Sequence, residues 1–125
     1  MELKDIAKEL VEGCRAGGAK VRENLDKLYA QDAVSVEAVD MGGQGRETHG
    51  LAGIHGKHDW WDSAMQEHGT KVTGPFYHGD DQFSVLFEVD ATDTESGKRM
   101  QMQEIGVYHV ADGKITREEF HYAMD

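Results

Sequence analysis

The sequence predicts an α+β domain, with helices gathered on one face of a curved antiparallel sheet. Three observations carry this. Apolar residues recur at helical spacing through the first half of the 125 residues. Past Gly69 the period changes to two, the alternation of strands. No linker, repeat or low-complexity stretch divides the chain, whose length suits one domain. Helices first and strands later is the order of the α+β class.

The elements follow in order. Leu3, Ile6, Ala7, Leu10, Val11 and Cys14 form one apolar stripe, stopped by Gly17 and Gly18. Val21, Leu25 and Leu28 share the face of a second helix, with Tyr29 beside it as a core residue. "AVSVEAV" (33–39) is short and β-branched, so it reads as a strand. "DMGGQGRETHG" reads as a flexible loop, and its "GGQG" lacks the Lys-Ser/Thr of a phosphate cradle. Residues 51–67 read as a third helix on the spacing of Leu51, Ile54, His58, Trp61 and Met65. "KVTGPFYHG" is a strand whose lone proline suits an edge or bulge. "DDQFSVLFEVDAT", "KRMQMQEIGVYHV" and "ITREEFHYAM" complete a four-strand meander, the last two joined at "ADGK".

Composition bounds the function. Hydrophobic residues make up 38 %, enough for one core. The net charge of −11 repels phosphate backbones and anionic lipid heads, so neither nucleic acid nor membrane is expected as a partner. One cysteine, Cys14, precludes an internal disulfide and reads as inert packing on the first helix. No apolar run reaches spanning length and the N-terminus lacks a signal-peptide core, so a cytoplasmic location is expected.

One strand contains an anomaly. In "KRMQMQEIGVYHV" one face collects Met100, Met102, Glu104, Gly106 and Tyr108. If that face is buried, a carboxylate goes in with it. Burial disfavours the charged carboxylate and raises its pKa, toward the range where it exchanges protons near neutral pH. Glu104 as a hydrogen-bonded structural residue is the plainer alternative.

The ordered set of four segments resembles the nuclear transport factor 2-like superfamily in its SnoaL-like, polyketide cyclase-like branch. The segments are "LYAQDAVSVE", "HDWWDSAM", "GPFYHGDDQFSVLFEVD" and "GKRMQMQEIGVYHVADGKITREEF". The resemblance implies a cone, in which a bent sheet wraps three helices and leaves an apolar pocket at its open end. In that fold Phe83, Val85, Phe87, Met100, Met102, Glu118, Phe120 and Tyr122 are expected to line the pocket. Trp60 or Trp61 closes the wall from the third helix. Glu37 matches the position where steroid-isomerase relatives place an Asp base; the first helix has no Tyr to match their phenol.

The expected function is therefore a pocket for a small, mostly apolar molecule. Glu37 and Glu104 are its acid/base candidates, and Tyr108 or Tyr122 would donate a hydrogen bond to a developing oxyanion. An isomerase, cyclase or hydratase without cofactor fits; so does a non-catalytic binding or interaction module with a plugged pocket. His49, His55 and His58 lie close in sequence but lack the further ligands of a metal site, so no metal is expected. The opposite sheet face shows Leu86, Ile105 and Val107, and the resemblance implies a homodimer through it.

Overall fold

The computed structural model describes residues 1–40 and 42–123; Met41 of the glycine-rich loop and Met124 of the last predicted strand lie outside the described residues. Helices α1 (Leu3–Ala16), α2 (Ala19–Leu28) and α3 (Leu51–Ala64) pack against a six-stranded sheet. Its strands are β1 (Tyr29–Val36), β2 (Glu47–His49), β3 (Met65–His78), β4 (Gln82–Asp93), β5 (Arg99–Ala111) and β6 (Lys114–His121), in the order β2-β1-β6-β5-β4-β3.

The stripe on α1 becomes a buried face of Ile6, Ala7, Leu10 and Val11. It meets α2 at Gly13, where an added Cβ would lie 2.2 Å from Asn24 Nδ2. Asn24 in turn donates to the Glu9 carbonyl at 2.9 Å, so the helices touch through a residue with no side chain. Phe83, Val85, Tyr108 and Ile115 come up from the sheet to join Ile6, Leu28 and Ile54 in one core. The Phe83 and Tyr108 rings stack with centroids 5.0 Å apart, and Phe120 meets Tyr108 edge-on at 6.4 Å.

The meander β3–β6 is antiparallel as its alternation predicts. The sheet as a whole is mixed, because β1 runs parallel to β6. A parallel pair needs a long crossover, and everything from β2 to β5 supplies it. Three boundaries also differ. The first strand starts at Tyr29, four residues before its β-branched run, because Tyr29 pairs with Ile115. The glycine-rich loop contains β2, three residues with no periodicity that are held only by pairing with β1. The third helix ends at Ala64, and Met65–Thr70 instead opens β3. Five of those six residues are exposed on an edge strand, so no alternation marks them. Pro75 sits on that edge strand, within the irregularity between Thr73 and Phe76.

Candidate functional site

The anomalous strand faces as its parity predicts. Met100, Met102, Glu104 and Tyr108 are half-buried or buried, whereas Gln101, Gln103 and Ile105 are exposed. On β4, Phe83, Val85 and Phe87 are all buried on the same face. Register pairs Phe87 with Glu104 and Phe83 with Tyr108, so the two strands present one continuous concave surface.

That surface divides into two levels. At the base, Phe83, Val85 and Tyr108 pack against the helices and are closed to solvent. Toward the mouth, Met100, Met102, Glu104 and Phe120 are half-buried. A ligand on this surface therefore meets the upper level; Phe83 and Val85 support it from beneath rather than line it.

A polar chain runs from the buried base toward the mouth. Tyr29 on β1 donates its hydroxyl hydrogen bond to Glu118 Oε1 on β6. Ser35 Oγ donates to Glu118 Oε2 at 2.7 Å. Lys57 on α3 donates through Nζ to Ser35 Oγ at 2.7 Å. Lys57 Nζ also lies 3.3 Å from Glu37 Oε2 and 5.4 Å from the centre of the Phe120 ring. Glu37 Oε2 is buried without a directed hydrogen bond, so Lys57 holds it as an ion pair rather than as an aligned donor.

Electrostatics follow from this geometry. Burial pushes the Glu104 carboxyl up to about 7; the charges of Glu37 and Glu118 add to the push and Lys57 opposes it. Burial also raises Glu118, while its hydrogen bonds from Ser35 and Tyr29 pull the other way. Tyr108 is raised well above the ordinary phenol range by burial and by neighbouring anions, so it stands as a neutral donor. The Glu104 carboxyl, raised by burial and by the charges of Glu37 and Glu118, is placed to exchange a proton near neutrality.

Not every residue singled out in the sequence gathers here. Trp60 is 55 % exposed. Trp61 turns its indole Nε1 to Glu67 at 2.8 Å, at the start of β3. Tyr122, beyond the end of β6, stands at the edge of the cluster: burial and the charges of Glu37 and Glu104 raise its phenol, while the backbone amides of Ala38 and Val39 pull the other way. It lines a cleft of about 160 Å³ with Val36, Ala38, Arg46 and Phe120, so this cleft adjoins the upper level of the site. Glu118 is only 3 % exposed and both its oxygens are occupied, so it organises the site without facing a ligand. His55 is engaged by Arg22 at 3.1 Å and Asp26 at 2.8 Å. Among the described residues no group of three or more His, Cys, Asp or Glu stands close enough to hold a metal ion.

Lys57 escaped the sequence reading, although a signal was present. Leu51, Ile54 and Lys57 follow one another at three-residue steps, so the lysine continues the inward stripe. Tyr29 read as core, and it is buried; its hydroxyl bond to Glu118, 89 residues away, is purely tertiary.

Three helices packed against a curved, mixed six-stranded sheet make the nuclear transport factor 2-like fold. Within that class the chain belongs to the SnoaL-like domain family, which it matches over residues 2–122. It is similar to a protein from Mesorhizobium loti provisionally assigned as a SnoaL-like polyketide cyclase: 36 % identity, 98 % of this chain and 100 % of that one covered, TM-score 0.89. TerC, co-crystallised with polyporic acid, shares the fold at 20 % identity, with 96 % and 90 % covered and a TM-score of 0.72. So does a protein of ketosteroid isomerase-like fold from Catenulispora acidiphila, solved with trimethylamine, at 16 % identity, 96 % and 86 % covered and a TM-score of 0.71. No curated protein matches the chain by sequence. Among the described residues no helix is long and apolar enough to cross a membrane.

Proposed function

We propose that the chain binds a small, mostly apolar organic molecule at the upper level of the concave surface and moves a proton on it without a cofactor. The reaction type is that of an isomerase, cyclase or hydratase. Glu104 is the acid/base group. The observation that carries this reading is its position: a half-buried carboxyl between Met102 and Phe87, poised near neutrality by burial and by two neighbouring carboxylates. Tyr108 supports it as a buried neutral phenol on the same strand. Glu37 sets the local charge through Lys57. The polyporic acid held by TerC supports an organic ligand for this fold.

The filled base of the cone favours a second reading, a binding module without chemistry. Phe83 and Val85 are fully buried, which leaves room only toward the mouth. Carbon-13 NMR of labelled glutamates separates the two. Titration of Glu104 near pH 7, shifted by an added apolar ligand, supports proton transfer; titration near the ordinary carboxylate value overturns it.

The protein works as a homodimer in this proposal, paired through the convex sheet face. Ile105 is 45 % exposed there, and cross-strand register sets it beside Leu86, with Val107 next along the strand. A patch of this kind on a chain of charge −11 suits apolar burial between copies.

A further inference from the structure

The Lys57 ammonium stands out because the proton-transfer scheme uses it only as the counter-ion of Glu37. It reaches inward from α3, is 26 % exposed, and is the cation through which Glu37, Glu104 and Glu118 are all coupled. An ammonium has three N–H donors. Ser35 Oγ takes one at 2.7 Å, and the Glu37 carboxylate stands 3.3 Å away as an ion pair without an aligned hydrogen bond. Its other N–H donors have no aligned protein acceptor among the described residues, and the ammonium stands 5.4 Å from the centre of the Phe120 ring.

From this we infer that Lys57 is the oxyanion contact of the site, and that the ligand is a molecule that enters neutral and carries an acidic carbonyl or phenol oxygen. The inference rests on the proton-transfer reading above and deepens it. The charge balance selects the ligand class. With Glu37 and Glu118 already around one cation, a permanent anion entering beside an ionised Glu104 would add a negative charge to a crowded site. A neutral ligand avoids this. When the Glu104 carboxylate accepts a proton from a C–H next to a carbonyl, the C–H bonding pair becomes the enolate π system and the negative charge arrives on the carbonyl oxygen. Glu104 has then lost the charge that the ligand has gained. The site total is unchanged, and the new charge stands where Lys57 has its free donor. Return of the proton from Glu104 to a carbon of the ligand closes the cycle with no oxidant and no co-reactant. Lys57 acts as a charge and not as a nucleophile, since its nitrogen is committed as ammonium to Ser35 and Glu37.

The test uses 4-nitrophenol, whose absorbance distinguishes phenol from phenolate, and nitrobenzene, which has no acidic oxygen. Wild-type protein is expected to bind both and to raise the phenolate fraction of bound nitrophenol above that of free nitrophenol at the same pH. Lys57→Met should weaken phenolate binding by about tenfold or more while leaving nitrobenzene within about twofold. Lys57→Arg, which keeps the charge, should retain the preference even if Lys57→Met folds poorly. Glu104→Gln should retain it as well, since it removes an anion and not the donor. Nitrobenzene binding without a phenolate preference, or a preference that survives in Lys57→Met, overturns the inference and leaves the pocket reading standing. Binding of neither probe overturns both. A Glu104 that fails to titrate near neutrality, with the phenolate preference intact, overturns the proton-transfer reading alone.

Discussion

Ser35 Oγ donates to Glu118 Oε2 while accepting from Lys57 Nζ, both at 2.7 Å, so one hydroxyl joins a buried carboxyl to the ammonium at the mouth. The two residues lie 83 positions apart in sequence and are brought together by the parallel pairing of β1 with β6, in which they are register partners. Ser35→Ala should remove both bonds and leave Glu118 Oε2 buried without a donor. The expected cost is about 1–3 kcal/mol, read as a lower urea midpoint with unchanged slope. A midpoint within error of wild type would mean that the hydroxyl is energetically idle.

Stability against pH should expose two buried groups that oppose each other. The folded-state pKa of Glu104 is raised from 4.5 to about 7. Its contribution is therefore complete below about pH 4.5 and is lost as pH rises through 7. His58 is the reverse case: burial, with Arg22 adding, lowers it from 6.5 to about 4. Its contribution is complete above about pH 6.5 and is lost as pH falls toward 4. Each is worth on the order of 3 kcal/mol at most. Burial raises Glu118 in the same direction as Glu104, so only the difference between wild type and Glu104→Gln isolates Glu104. Glu104→Gln should be more stable than wild type at pH 8, by a margin that grows as pH rises from about 4.5 to 7. Urea unfolding at four pH values decides it; a Glu104→Gln curve parallel to wild type would contradict the assignment.

Gly106 should not tolerate a side chain. A Cβ there would stand 3.0 Å from Tyr108 Cε2 and Oη and 3.2 Å from Phe120 Cε1. Both rings belong to the core or to the wall of the site and have little room to give. Gly106→Ala should cost about 1–3 kcal/mol by overpacking. Adding Tyr108→Leu should make the double variant less destabilised than the sum of the two singles, because the clash is shared. Strict additivity would show that the strain lies elsewhere.

The proposed dimer has a direct test at the convex face. Val107→Asp should convert the protein to monomer in sedimentation equilibrium while leaving its far-ultraviolet circular dichroism unchanged. A wild type that is monomeric at micromolar concentration would remove the basis for the proposal, and the patch around Ile105 would stand as ordinary exposed surface.

The sequence by itself determined the helices, the meander and the facing of β5. Those features are written in local periods: three to four residues on α1, two on β4 and β5, each repeated often enough to be read without neighbours. Period two settled which way Glu104 points, since a strand with Tyr108 and Met102 turned in must turn Glu104 in with them. Pairing between distant segments left no such trace. β2 has three residues and no pattern, and Met65–Thr70 lies on an exposed edge. The parallel union of β1 with β6, which makes the sheet mixed, joins strands some eighty residues apart. The site was divided along the same line. Glu104 and Tyr108 announced themselves as polar groups on an apolar face, whereas Glu37 was marked only by the resemblance to the steroid-isomerase relatives. That Lys57 and Ser35 stand between Glu37 and Glu118, that Trp60 faces out, and that Phe83 and Val85 seal the base were decided only when α3 closed over β1. Periodicity fixes which face of an element a side chain occupies; which side chain it then meets depends on how the elements dock.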